Sequence, residues 1–114
     1  MSMSPTDANQ YHIHIYFDDG SEEKAQALRD KAGGDERVLA LGCMHTGPIG
    51  PHPQRQFQLL VGTDDLASLV RWVDEQRLGL SVLIHPEIDD DLAAHTTYAR
   101  WLGQPVPLRL ERFR

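Results

Sequence analysis

The chain has 114 residues, a length that fits one domain, and its 40% apolar content can fill one ordinary core. A net charge of -6 argues against a nucleic-acid surface, and the arginines near the end, Arg109, Arg112 and Arg114, are too few to form a basic stripe. No apolar run reaches membrane-spanning length, residues 1–10 lack the apolar stretch of a signal peptide, and Cys43 is the only cysteine, so a cytoplasmic chain with no intrachain disulfide and a buried Cys43 thiol is expected.

Residues 1–10 are polar and read as a disordered tail ahead of a single domain spanning 11–114. From Tyr11 to Phe17 the chain alternates, with His12, His14 and Tyr16 on one face and Ile13, Ile15 and Phe17 on the other; this predicts a strand with one polar and one apolar face. Asp18-Asp19-Gly20 turns the chain, and Ser21 can cap a helix that carries Glu22 and Glu23 in its first turn. Ala25, Leu28 and Ala32 recur at helical spacing, and Gly33-Gly34 ends the helix.

Residues 37–44 read as a second strand. The following loop, Thr46 to Pro53, is stiffened by Pro48, Pro51 and Pro53 and presents His52. Residues 55–61 form a third strand, with Phe57, Leu59 and Val61 opposite Gln56 and Gln58. Thr63 or Asp64 caps a second helix whose stripe is Leu66, Leu69, Val70 and Val73. Leu80 to His85 is the fourth strand. A third helix is predicted from about Leu92 to Leu102, with Leu92, His95, Ala99 and Leu102 inward. Val106 to Phe113 is a candidate edge strand, since Pro105 and Pro107 remove ladder donors.

The order β-α-β-β-α-β predicts an α+β ferredoxin-like fold: an antiparallel sheet of order 4-1-3-2, both helices on one face, and an extra C-terminal helix. The open face, bearing His12, His14, Tyr16, Gln56 and Gln58, is solvated or closes over a site, and two such sheets are expected to pair in a homodimer. The expected directions, strands one and three together and two and four opposed, bring His12, His14, His45, His52, His85 and His95 to one end of the sheet.

Any one of these histidines is more often a structural residue than a ligand. Convergence of His12, His14, His52 and His85 is another matter, because neutral imidazole binds Zn, Fe, Ni and Cu. His-x-His on a strand puts both rings on one face. Neither His-Glu-x-x-His nor Cys-x-x-Cys occurs. His95 reads equally as a satisfied core residue and as a general acid or base, and His45 lies in a loop. The run Glu87 to Asp91 could add a carboxylate ligand, although capping by Asp90 or Asp91 explains it more simply. Tyr16 and Trp101 suit stacking on an aromatic ligand or ordinary packing.

Tyr11-His12-Ile13-His14-Ile15-Tyr16-Phe17-Asp18, Ile49-Gly50-Pro51-His52-Pro53 and Leu80-Ser81-Val82-Leu83-Ile84-His85-Pro86 resemble segments of the DOPA 4,5-dioxygenase family. Asp90-Asp91-Leu92, His95-Thr96 and Ala99-x-Trp101-Leu102-Gly103 extend the resemblance over almost the whole chain after the tail. It implies a ferredoxin-like dimer and a non-haem Fe(II) extradiol dioxygenase that opens a catechol such as L-DOPA with O2, zinc or another divalent ion being the alternative occupant. On this resemblance His14, His52 and His85 are the expected metal ligands, and His12 and His95 the candidates for proton transfer. Tyr16, Gln58 and His45 are the candidates for holding the small aromatic substrate. The family usually has Asn-Thr-Gly where this chain has Glu87-Ile88-Asp89, Asp where it has Ala94, and often His where it has Tyr98; these changes alter the rim of the site. A non-catalytic ferredoxin-like module for ligand binding or dimerisation, and a zinc-dependent hydrolase, are the alternative functions.

Overall fold

Alternate side chains of a strand point to opposite faces of its sheet, and β1 (Gln10–Phe17) uses both faces. Ile13, Ile15 and Phe17 are buried against α1 (Glu22–Ala32) and α2 (Thr63–Gln76), where they meet Ala25, Leu28 and Ala32 of the first helix and Leu69, Val70 and Val73 of the second. His14 and Tyr16 are buried on the opposite face. A computed structural model describes residues 8–113.

The sheet also contains β2 (Val38–Leu41), β3 (Arg55–Gly62), β4 (Val82–Pro86) and β5 (Arg100–Leu102), in the order β2-β3-β1-β4-β5. Its first four strands have the expected ferredoxin-like order, and both long helices cover one face. The directions differ from expectation. β1 is antiparallel to both β3 and β4, and β2 is antiparallel to β3, so strands one and two run together and three and four oppose them. Each helix connects two strands that run the same way with a third strand between them, which the split βαβ arrangement requires. In consequence the start of β3 lies beside the end of β1, where Arg55 pairs with Phe17, and not beside its beginning.

The predicted third helix is much shorter: α3 spans Asp91–His95. Asp90 caps it by accepting from the Ala93 backbone N–H at 3.0 Å. It closes when the Tyr98 N–H turns back to the Ala93 carbonyl. The segment expected to complete it becomes β5, which pairs with β4 through Arg100, Trp101 and Leu102. β4 is buried along its whole length, so its free edge needs a partner, and tertiary pairing overrides the helical spacing of Ala99 and Leu102. Leu102 enters the main core and Trp101 packs near Tyr16 on the other face, the period of two expected of a strand. Leu92 is exposed and not inward. No strand forms over 106–113; Val106 is buried against Tyr16 and Leu83, and Leu110–Phe113 make a 3-10 turn.

Smaller differences are local. Ser21 stands at the N-cap of α1, but its hydroxyl bonds Asp18 and not a helical N–H. Gly62 is the N-cap of α2, and the Thr63 hydroxyl donates to the Ala8 carbonyl. Ala8, expected in the tail, is buried beside Ile88 and Ala94, and residues 1–7 of the expected tail lie outside the described residues. Cys43 is exposed, contrary to the expectation of a buried thiol. It follows Gly42, which leaves β2 in close contact with β3: a Cβ there would lie 3.1 Å from the Gln58 carbonyl oxygen. Beyond β2 the chain keeps to β3, the Gly42 and His45 N–H groups donating to the Gln58 and Gln56 carbonyls.

Ile15 is fully buried in the core, so Ile15→Ala should lower the free energy of unfolding by about 2–5 kcal/mol. Leu39→Ala, on the exposed part of edge strand β2, should stay within about 0.5 kcal/mol. Urea midpoints of the two variants test this, and equal losses would contradict the assignment of faces.

Candidate metal centre

The register of β1 against its neighbours assembles the first part of the site. His12 lies opposite His85, and His14 lies opposite Gln58 and diagonally across from Gln56 and His85. The 42–54 segment brings in His52, held by a short isolated bridge between Ile49 and His52. α3 brings in His95 on its last residue. His14, His52, His85 and His95 are all buried, while His12 is partly exposed.

The rings crowd together. Ring centroids lie 4.3 Å apart for His14 and His52, 5.0 Å for His14 and His85, and 4.1 Å for His85 and His95. Two sets of donor atoms close to within 4.8 Å: His12, His14 and His85, and His14, His52 and His95. His14 is common to both. The trio expected from the sequence, His14, His52 and His85, straddles the two sets. Both sets consist of histidine alone, and Asp90 is engaged as a helix cap.

Hydrogen bonds orient the imidazoles. His85 Nδ1 lies 3.0 Å from the Pro86 carbonyl oxygen and His95 Nδ1 lies 2.7 Å from that of Asp91. A carbonyl only accepts, so each Nδ1 carries the proton and each Nε2 keeps its lone pair. His14 Nδ1 is 2.9 Å from Gln56 Oε1, and with the amide so oriented this nitrogen donates as well. The His14 and His85 Nε2 atoms then face one another as bare lone pairs 3.0 Å apart. Two such nitrogens repel unless a cation lies between them. Two nitrogens this close could both bind one first-row ion, whose bonds to imidazole are about 2.0–2.1 Å long. The donor set therefore fits a divalent transition metal.

Burial keeps these rings neutral. It holds His14 well below the usual histidine range, with help from neighbouring His52 and His85. His52 is lowered to about 4 by burial and then by His95 and His45. His85 is lowered to about 3 by burial and then mainly by His95. Burial also lowers His95. A metal consequently meets little competition from protons at neutral pH.

The other anticipated residues divide. A cavity of about 350 Å³ opens onto the cluster and is lined by His12, His14, His52, His85, His95 and Gln58 among others. Tyr16 and His45 do not line it. The Tyr16 hydroxyl is 2.6 Å from His52 Nδ1, so this buried phenol positions an imidazole and is not available to hold a substrate there. Burial raises its pKa and keeps the phenol protonated. His45 is fixed along β3: its N–H donates to the Gln56 carbonyl and its carbonyl accepts from the Arg55 side-chain Nε. Glu87 reaches the mouth, 3.7 Å from His12 Nε2. Two positioning roles escaped sequence reasoning, that of Gln56 toward His14 and that of Phe113, whose ring lies 4.8 Å from His95. Strand parity put Gln56 on the correct face; nothing in the sequence pointed to Phe113.

The sequence pattern of the Dopa 4,5-dioxygenase family matches residues 11–112. The chain belongs to that family. It is 28% identical over 113 residues to a DOPA 4,5-dioxygenase of Amanita muscaria, a match that takes in 92% of this chain and 50% of the relative. An uncharacterized 21.2 kDa protein of Botryotinia fuckeliana is 30% identical over 114 residues, covering 88% of this chain and 61% of that protein. The chain thus spans between half and two thirds of these relatives. A crystal structure from Nostoc punctiforme, described as a "putative dioxygenase", superposes with a TM-score of 0.91 at 33% identity, covering 98% of this chain and 96% of that one. Among the described residues, no helix is long and apolar enough to cross a membrane.

A histidine whose folded pKa lies below its free value of 6.5 stays neutral in the fold while the unfolded chain takes up a proton. His52 and His85 therefore contribute stability that is present above about pH 6.5 and is lost as pH falls toward 4 and 3. Metal-free protein should lose up to about 1.4 kcal/mol per pH unit for each such group below pH 6.5. The double variant His52→Gln with His85→Gln should flatten that slope. Urea titrations between pH 7.5 and 4.5 measure it, and an unchanged slope in the double variant would count against neutral burial.

Proposed function

We propose that this chain is a non-haem Fe(II) extradiol dioxygenase that opens the ring of a catechol-type small molecule with O2. The supporting observation is a buried cluster of neutral imidazoles in which His14 and His85 turn Nε2 toward each other, in a chain of the Dopa 4,5-dioxygenase family. Fe(II) bound there would bring catechol and O2 together and lower the catechol pKa.

His14 is the central proposed ligand, since it belongs to both sets of donor atoms. His52 and His85 are the proposed partners. Each has its Nδ1 occupied, by the Tyr16 hydroxyl and the Pro86 carbonyl respectively, so Nε2 is the nitrogen left for an ion. Gln56 sets the ring angle of His14. His95 is left to exchange protons with substrate through Nε2, its Nδ1 being tied to Asp91. His12, partly exposed and near Glu87, can pass protons between the cavity and solvent. Gln58 lines the cavity and can hydrogen-bond a bound catechol. The name of the Amanita relative makes L-DOPA the first substrate to try.

Anaerobic reconstitution with Fe(II), followed by O2 uptake with catechol, L-DOPA and protocatechuate, tests this reading. Iron-dependent uptake with a new yellow chromophore is expected; a chain that binds no iron would sink the proposal. Alanine at His14, His52 or His85 should abolish stoichiometric iron. Alanine at His95 should retain iron and cost roughly 100-fold or more in turnover. Iron retained by His85→Ala and lost from His95→Ala would instead favour the set of His14, His52 and His95.

Removing the amide that orients His14 should weaken metal binding without destroying the site. Gln56→Leu is expected to cost about 10- to 100-fold in metal affinity. Competition against a chromophoric chelator measures it, and an unchanged affinity would remove Gln56 from the site's support.

A further inference from the structure

We propose that Phe113 is a specificity-determining wall of the histidine cavity, the surface against which the substrate's aromatic face lies; this rests on the dioxygenase reading above. The cavity lining includes five histidines, and Phe113 is its one phenyl ring. That ring lies 4.8 Å from His95 at an interplanar angle of 41°. A ring bound among the imidazole nitrogens by its hydroxyl edge leaves its faces to be covered. Offset or tilted aromatic contact is the favourable way to cover them.

The segment that carries Phe113 is fastened lightly and in one telling place. Val106 is its last buried residue, packed against Tyr16 and Leu83. Beyond it the Arg109 N–H donates to the Pro51 carbonyl at 2.7 Å, and Arg112 bonds back to Arg109 to close the terminal turn. No residue of that turn is buried. Pro51 precedes His52, so one backbone bond ties the aromatic wall to the loop that delivers an imidazole. The wall is thus placed relative to the donor atoms, while Phe113 itself remains partly exposed at the mouth. Ring substituents that project past His95 meet this side chain first.

Three proteins test the inference: wild type, Phe113→Ala and the conservative Phe113→Tyr. Loaded with redox-silent Zn(II), they are titrated with 4-nitrocatechol by absorbance. Phe113→Ala should weaken binding about 5- to 20-fold, and Phe113→Tyr should stay within about twofold. In Fe(II)-loaded protein, kcat/KM for 4-tert-butylcatechol relative to catechol should rise in Phe113→Ala. A third readout needs neither metal nor substrate: diethyl pyrocarbonate should modify the histidines of metal-free Phe113→Ala about fivefold faster than wild type, following loss of a packed aromatic cover. Unchanged Kd and selectivity in Phe113→Ala overturn the inference, whatever the modification rate, and leave the dioxygenase reading intact. If wild type takes no catechol at all, the dioxygenase reading falls and the substrate wall with it, and faster modification then shows only that Phe113 covers the imidazoles.

Discussion

The structure depends on the period of β1. Eight residues in one strand build two environments, because neighbouring side chains cannot share a face. Ile13, Ile15 and Phe17 supply the centre of the apolar core, and the residues between them supply the centre of the histidine cluster. Core and site therefore share one register: a slip of one residue would bury imidazoles under the helices and expose isoleucines to the cavity. The burial that drives folding also fixes the position of His14, the donor on which both ligand sets depend.

A second constraint is that every buried imidazole needs a partner. Burying a polar ring without a hydrogen bond costs free energy, and each ring here meets that demand at Nδ1: His14 with Gln56, His52 with Tyr16, His85 with a carbonyl and His95 with a carbonyl. The carbonyl and amide oxygens also choose the tautomer of His14, His85 and His95, since each of those Nδ1 atoms must donate, whereas the Tyr16 hydroxyl can either donate to His52 or accept from it. An arrangement demanded by burial is thereby also one that presents lone pairs inward, with no carboxylate in either donor set. Glu87 and Asp91 line only the cavity around the imidazoles.

Periodic parts of the fold were legible in the sequence and path-dependent parts were not. Alternation in residues 11–17 and 55–61 assigned the faces correctly, and with them the positions of His12, His14, Gln56 and Gln58. Pairing of β1 with β4 placed His85 beside His12 as expected. The predicted strand directions were wrong for β2 and β3, yet His52 still reaches His14, because the proline-rich segment runs back over the open face. Such a path is fixed by contacts on arrival, the bond of His52 to Tyr16 and that of Pro51 to Arg109, and these have no sequence period. The region after His85 misled for a related reason: Ala99 and Leu102 suit a helix by spacing, but the unpaired edge of β4 lies far away in sequence and decides the matter. Tyr16 was on the correct face, and only the folded loop shows its hydroxyl set against His52 Nδ1.

The donors come from β1, the loop before β3, the end of β4 and α3, so almost the whole chain must be in place before they meet. Contacts of such long sequence separation form late, after loop-closure entropy has been overcome. A collapsed intermediate with β1 and α1 formed has one or two stray imidazoles and no chelating cage. An ion that prefers the completed cage binds the native state and hardly any other, and so lends its affinity to the last docking steps of folding. A bound ion would make the cluster a checkpoint on assembly: a chain that has not brought the His52 loop and α3 onto β1 would have few donors with which to retain it.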